Sequence, residues 1–405
     1  MEPGKYTATA EAWNAGENIL EGSGSTEITV RAGETTDCNI TMILEGQTAY
    51  YSKYMILTDY PNIKYIYDYP SCNKSSKSVS FGTSYNTVED NNGQIYHIEG
   101  SNLYKDNVSV LNISDTSNLI KNPLYYDSKT DTYWIGLENV NKFYLQNSVN
   151  SYDTNVNRHI LASKGESFLN FAIQENKAYL VYIEKDDPIA NIRYFTKDEN
   201  VKLTEQKRIQ LSTIGVSGEV TDMAVLEDGT VAVLVRSVGV GTETEGFDNM
   251  SLKDKGTVYS RGALVLLSSD LSLIKTLGWS GERPISATGS SSGYSVQLNK
   301  ITANIPKYEE RNTHFYGPMR IVAIRPKELV IADCGANFVL PDYSEKKNGS
   351  MFAHNRLMTV NLRNFAIGCK KEFSESELKF RNLTISGGIL ATSASPYYGN
   401  YVDEK

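Results

Sequence analysis

One unit recurs along this chain: an apolar strand, a tight polar turn, and a second strand more apolar than the first. It reads as Tyr85–Val88 with Gln94–Ile98, Pro123–Tyr126 with Thr132–Gly136, and Phe168–Ile173 with Lys177–Tyr182. It returns as Thr221–Leu226 with Thr230–Val235, Met319–Ile324 with Leu329–Asp333, and Leu383–Ser386 with Ile389–Thr392, six copies in all. Further strand candidates follow most copies, most plainly Gly262–Leu267, the turn Ser268–Asp270, and Leu271–Gly278. Four strands per unit at a spacing of about forty residues marks a propeller blade, which buries its faces only against neighbouring blades. The pattern therefore predicts an all-β chain with a six-bladed β-propeller over residues 50–405, or seven blades if one more lies within residues 281–318. After the sixth copy two outer strands are missing, and Lys53–Leu57 with Ile63–Tyr67 supply two strands without a blade, so the ring is expected to close by sharing them. A pair of β-sandwiches is the competing architecture, since it also yields regular short strands.

Composition agrees with strands. The 27 tyrosines against 3 tryptophans, with abundant Ser, Thr, Asn and Gly, suit pleated surfaces and turns better than helices. At 405 residues the chain is too long for one ordinary core, which points to a small module plus one large closed domain. A net charge of −8 and no dense run of Lys or Arg leave no electrostatic footprint for nucleic acid. No stretch approaches the roughly 20 consecutive apolar residues of a membrane helix. The four cysteines, Cys38, Cys72, Cys334 and Cys369, lack CxxC or metal-ligand spacing and read as buried thiols.

Residues 1–46 form a separate module with period-two alternation in Tyr6–Trp13, Ile19–Val30 and Thr36–Met42, separated by turns at Asn14–Asn18 and Arg31–Glu34. A lone three-stranded sheet buries little apolar area, so it needs a partner sheet and reads as part of a β-sandwich. Pro3–Thr7, Glu27–Val30 and Gly33–Thr36 resemble the last strands of bacterial immunoglobulin-like surface modules. In such modules a Tyr after a Gly turn forms a tyrosine corner, and their role is that of a spacer. The resemblance implies a cell-surface or periplasmic setting. Met1–Tyr6 has no charged n-region followed by an apolar run, as in a soluble cytosolic protein, but the first strands read as the later part of a β-sandwich, so a leader or lipid-anchored segment giving peripheral membrane attachment is expected upstream. The chain is expected to be a monomer. A second resemblance lies at Leu329–Asn337 and Asn355–Val360, which are similar to a blade of the NHL family of propellers. It implies a propeller fold and says nothing of chemistry.

Three long insertions sort onto one side of the expected ring. Residues 236–261 and 335–354 interrupt second-to-third strand connections, and residues 281–318 link two blades; in an antiparallel blade all three open on the same face. The opposite turns, Glu227–Gly229, Ser268–Asp270 and Arg325–Glu328, are minimal. Ligand contact is therefore expected on the insertion-bearing face, near His314, Tyr316, Arg320 and Asp333. Tyr, Asn, Ser and Gly dominate these loops and suit a glycan or a protein partner. A buried Arg320–Asp333 ion pair that merely braces the blade is the structural alternative for those two residues.

No catalytic constellation emerges, and no metal or cofactor is implied. Glu243, Glu245 and Asp248 do not have the spacing of a calcium loop, and His97, His159, His314 and His354 are scattered without HExxH. Gly289–Gly293 spells GxSxG but lacks the strand-to-helix elbow that exposes a nucleophile. The chain is read as a non-enzymatic binding or scaffolding protein; the runner-up is a propeller glycan hydrolase or lyase that acts through two carboxylates from different blades.

Overall fold

A computed structural model describes residues 3–13, 20–33, 43–44, 52–59, 63–82, 87–113, 119–139, 142–147, 166–184, 187–199, 203–216, 218–240, 257–280, 284–290, 293–298, 312–315, 317–325, 327–333, 336–339, 349–353, 356–373 and 398–401. The chain divides into two units, Met1–Tyr50 and Tyr51–Lys405. The first holds one antiparallel sheet of β1 (Gly4–Trp13), β2 (Leu20–Val30) and β3 (Ile43–Leu44). Tyr6 pairs with Ile28 and Ala8 with Thr26, so the half-covered side chains share one face while Lys5, Thr7, Glu27 and Thr29 point outward. The expected third strand, 36–42, lies outside the described residues. So does any facing sheet that would make this unit a sandwich.

The second unit is a β-propeller. It opens with a hairpin of β4 (Tyr54–Asp59) and β5 (Ile63–Asp68). The first blade is β6 (Thr87–Glu89), β7 (Ile95–Glu99), β8 (Asn102–Lys105) and β9 (Val108–Asn112). The second is β10 (Leu119–Asp127), β11 (Thr132–Asn139) and β12 (Lys142–Asn147). The third is β13 (Glu166–Gln174), β14 (Lys177–Glu184), β15 (Asp187–Lys197) and β16 (Leu203–Gln210). In the fourth, β17 (Glu219–Val225), β18 (Val231–Val240), β19 (Thr257–Leu267) and β20 (Leu273–Gly278) pair in order. A separate hairpin, β21 (Pro284–Ser290) with β22 (Gly293–Leu298), precedes the last blade. That blade pairs β23 (Pro318–Arg325), β24 (Glu328–Asp333), β27 (Arg356–Asn361) and β28 (Ile367–Glu372), with β25 (Ala336–Val339) and β26 (Gly349–Ala353) inserted between its second and third strands. A last strand, β29 (Tyr398–Tyr401), lies parallel to β26.

Among the described residues the ring therefore has five blades, not six or seven. Five of the six sequence copies form the inner hairpins of these blades. The sixth, Leu383–Thr392, lies outside the described residues, and the described part of residues 281–318 holds a two-stranded hairpin, β21–β22. The inner strands β6, β10, β13, β17 and β23 neighbour one another in that order, and β4 lies beside β23. The β4–β5 hairpin thus lies between the fifth blade and the first, with β4 beside the inner strand β23; its expected sharing of a blade with the sixth copy involves residues outside the described ones. Helical structure among the described residues is limited to one 3-10 turn, Leu211–Ile214.

The sequence gradient across each blade has a direct cause. The middle strands, second and third, are covered on both faces by adjacent blades and therefore read as continuous apolar runs, as in Val231–Val235 of β18 and Ala263–Leu267 of β19, all essentially inaccessible. Outer strands meet solvent and alternate or turn polar, as in β16 and β9, where Val108 is 65% exposed. Each fully buried Val or Leu contributes about 1.5–3 kcal/mol relative to exposure.

Candidate functional site

Inner strands run from the end where blades are entered towards the short hairpin turns, and that turn-bearing end is sewn shut. Tyr126 Oη accepts from the Asn91 N–H at 3.0 Å, joining the first and second blades. The Asp127 carboxylate accepts from the Glu175 N–H at 2.8 Å, and the Gln174 amide donates to the Leu226 carbonyl at 2.7 Å, which joins the second to the third and the third to the fourth. The Ser52 N–H donates to Ile324 O at 3.3 Å, and Glu89 accepts from the backbone N–H groups of Lys53 and Tyr54 at 2.8 and 3.2 Å. Burial lifts this Glu89 carboxyl to about 7 against the pull of those donors. Bonds between neighbouring turns thus tie this end together.

The opposite end is different. There β18 and β19 continue past the blade as a paired ladder up to Val240 and Val258, and β25, inserted from the fifth blade, pairs with Thr257–Tyr259. The two insertions that the sequence placed on one face therefore join in a single sheet, extended by β26 and β29. Segment 312–318, which leads into β23, runs against the same strand: Gly262 pairs with Phe315, and a side chain at Gly262 would strike the Pro318 ring, a Cβ falling 2.3 Å from its Cδ. Glu243, Glu245 and Asp248 lie outside the described residues.

At the starts of the inner strands on this end, the ladder is interrupted by bulges, at Leu119–Leu124, Phe168–Asn170, Val220–Asp222 and Pro318–Arg320. A bulge re-aims side chains, and these turn polar groups inward. Asp222 Oδ1 accepts from the Asn170 amide at 3.1 Å, Oδ2 accepts from the Ile321 N–H at 2.8 Å, and Arg320 Nε lies 3.4 Å from Oδ2. The Asn122 amide donates to Thr221 O at 3.3 Å, and the Thr221 hydroxyl donates to Pro318 O at 2.7 Å. Four blades are stitched together by this cluster. Lys64, near the start of β5, sits within the field of Arg320; burial first and that positive charge second hold its amine down at about 8.

The four residues expected at the site separate. Arg320 is one-third exposed and belongs to the cluster. Asp333 is fully buried: Arg356, itself 1% exposed, reaches its Oδ2 through Nη2 at 2.5 Å and Nε at 3.1 Å, and the Gly317 N–H donates to Oδ1 at 2.6 Å. The bracing ion pair exists, but Arg356 is the partner of Asp333, while Arg320 pairs with Asp222. Arg356 also donates to the His314 carbonyl at 2.8 Å, so His314 enters through its backbone; its ring Nδ1 lies 3.1 Å from the Thr313 hydroxyl at the surface. Tyr316 lies outside the described residues. Sequence reading missed Asp222, Asn170 and Lys64. A signal existed for the first two: Asn122, Asn170, Asp222 and Arg320 each stand a few residues ahead of the hairpin turn in successive copies. Both Asp222 oxygens are occupied by protein donors, which leaves it poorly set up as a general acid or base.

No protein-family model matches the chain. No curated protein matches it either. Among solved structures, the chain is similar to a Bacteroides ovatus protein described as a dipeptidyl aminopeptidase IV, with 10% identity over 80% of this chain and 51% of that one, at a TM-score of 0.31. This chain thus spans about half the length of that protein. It is also similar to BBS1N in complex with ARL6DN (12% identity, 82% and 95% coverage, TM-score 0.34) and to a luciferin-regenerating enzyme (12%, 75% and 95%, 0.28).

Proposed function

We propose that this chain is a non-enzymatic binding or scaffolding protein that holds a glycan or protein ligand on the insertion-bearing face of its propeller. The observation that supports this most is the pairing of β19 with β25 beside the polar cluster at Arg320, set against an opposite end whose turns bond to one another. Inserted length and the one-third-exposed Arg320 lie at one mouth, where a ligand gains most. The reading takes residues 383–392 with the β4–β5 hairpin as a sixth, NHL-like blade and the N-terminal sheet as part of an immunoglobulin-like spacer. It puts the protein at the cell surface or in the periplasm, as a monomer held peripherally at the membrane through an upstream segment.

Screening the whole chain on glycan arrays and against protein extracts should return a ligand. Its affinity should fall at least about tenfold (1.4 kcal/mol) when residues 241–256 are replaced by a short Gly-Ser turn, and fall measurably in Tyr316→Ala. Undiminished affinity in both would leave only a scaffold. Turnover of chromogenic glycosides, lost in Asp222→Asn, would favour the hydrolase or lyase instead.

A further inference from the structure

We propose that the outer edge of β26 is a docking site for an extended polypeptide segment, and that β29 occupies it as an exchangeable stand-in. This rests on the preceding reading and deepens it, choosing a protein over a glycan as the ligand. The sheet at the insertion-bearing end runs in the order β17-β18-β19-β25-β26-β29, so β26 and β29 form its far side. Every other ladder in it is antiparallel. Strands β18 and β19 pair without a break from Val231 with Leu267 to Val240 with Val258, and β25 and β26 pair from Ala336 with Ala353 to Val339 with Ser350. By contrast, β29 lies parallel to β26 and meets it only at Gly349 with Tyr398 and at Met351 with Tyr401. Between these positions Gly399 and Asn400 stand against Ser350 alone, which breaks the register.

The edge is thus prebuilt while its occupant is weakly held. On one side β25 fixes β26 from Ser350 to Ala353; on the other, among the described residues, no strand lies opposite Phe352 and Ala353. A parallel pair is less stable per residue than an antiparallel one, and a short ladder with a break in it forms few bonds. That a chain segment fits this edge is seen in β29 itself, which comes from beyond β28, the last strand of the fifth blade, and not from a hairpin with β26. A strand edge offers a row of N–H and C=O groups that pairs with any extended chain, so affinity comes through the main chain. A sugar carries no such row, and the edge therefore selects polypeptide.

The test uses the full chain and a fluorescein-labelled peptide spelling residues 397–403, read by anisotropy. In the double variant Gly399→Pro, Asn400→Pro, whose β29 lacks two N–H donors, the peptide should bind at least about tenfold tighter than in wild type, because the internal strand no longer competes. A peptide with proline at those two positions should bind neither protein. In wild type, rising peptide concentration should speed hydrogen exchange at the 398–401 amides, a readout that needs no variant to fold. Equal affinity of the peptide for wild type and variant, equal binding of the proline peptide, or no binding to the folded variant overturns the inference. So does peptide binding to wild type that leaves exchange at 398–401 unchanged. If the peptide fails while a ligand from the array and extract screen binds and is lost in the 241–256 replacement, the binding reading survives and only the β26 site falls.

Discussion

Two seams of the propeller are built differently. Between the third and fourth blades the contact is mainly apolar: Tyr179, Val181 and Ile192 pack on Val220, Met223, Val233 and Val265, nearly all of them inaccessible. The Gln174, Asn170 and Tyr179 side-chain bonds add to that core. Where the ring closes, the β4–β5 hairpin meets the fifth blade through directed polar contacts. Ser52 bonds Ile324, 272 residues away, and the Arg325 guanidinium donates to the Ser52 carbonyl at 2.9 Å while lying 4.2 Å over the Tyr69 ring. Tyr69 donates to Glu328, Lys370 lies 4.9 Å from the same ring, and Lys371 donates to Cys72 O at 3.2 Å. Met55 and Leu57 are buried there too, but fewer apolar groups share the work. The third and fourth blades are tethered by the short connection between Gln210 and Glu219, so non-directional burial suffices to dock them. The closing contact must select one partner across nearly the whole chain, and directional bonds discriminate among partners better than apolar area does.

The sharpest way to break this comparison is Tyr179→Ala. It empties a ring stacked 5.3 Å from Tyr194 and removes a 2.8 Å bond to Ser269 O, and should cost about 3–5 kcal/mol in denaturant unfolding. A smaller loss than that of any closing-seam variant would mean the apolar seam is not the stronger one.

Next in size is the pH dependence of closure. Unfolded, Glu89 ionises near 4.5; folded, it keeps its proton to about 7, so the folded state binds more protons between those values. Stability from this group is therefore complete below pH 4.5 and is lost as pH rises through 7, by at most about 3 kcal/mol. Glu89→Gln should lack that loss, and the wild-type-minus-variant difference should fall steadily across this window. Buried His97, whose pKa burial lowers, acts in the opposite sense by losing stability as pH falls below 6.5, which is why the difference between the two proteins is the quantity to measure.

A smaller effect tests the polar seam directly. Tyr69→Phe removes the bond to Glu328 but keeps the ring under Arg325 and Lys370, and should cost about 0.5–1.5 kcal/mol. A thermal shift far above that range would make this bond the principal latch of the ring. Smallest is Val108→Ser on the exposed β9, expected within about 0.5 kcal/mol of wild type; a larger change would show that outer strands are covered by something else.

Much of the fold was readable because the blade is a local object. Thr221–Leu226, the Glu227–Gly229 turn and Thr230–Val235 announce a hairpin by period and turn chemistry alone, and the structure forms it as β17 and β18. Of the four cysteines read as buried thiols, Cys72 is buried, Cys369 is only half-buried, and Cys38 and Cys334 lie outside the described residues. The site was legible only in part. Arg320 stood out by its place before an inner strand, but its pairing did not, because alternation says which face a residue takes and not which carboxylate of another blade lies opposite. Arg356 was passed over as a strand residue after an insertion, and it turned out to neutralise Asp333.

What the sequence by itself determined is the unit: apolar strand, polar turn, doubly buried strand, and with it the five hairpins and the end from which the insertions leave. The tertiary structure decided how the units meet. Asp222 faces Arg320, Lys64 comes within the field of that guanidinium, and β25 leaves its own blade to pair with β19. These contacts join segments scores or hundreds of residues apart, and a repeating pattern of local propensity contains no term for them; they exist because closing the ring brings the starts of all the inner strands to one axis.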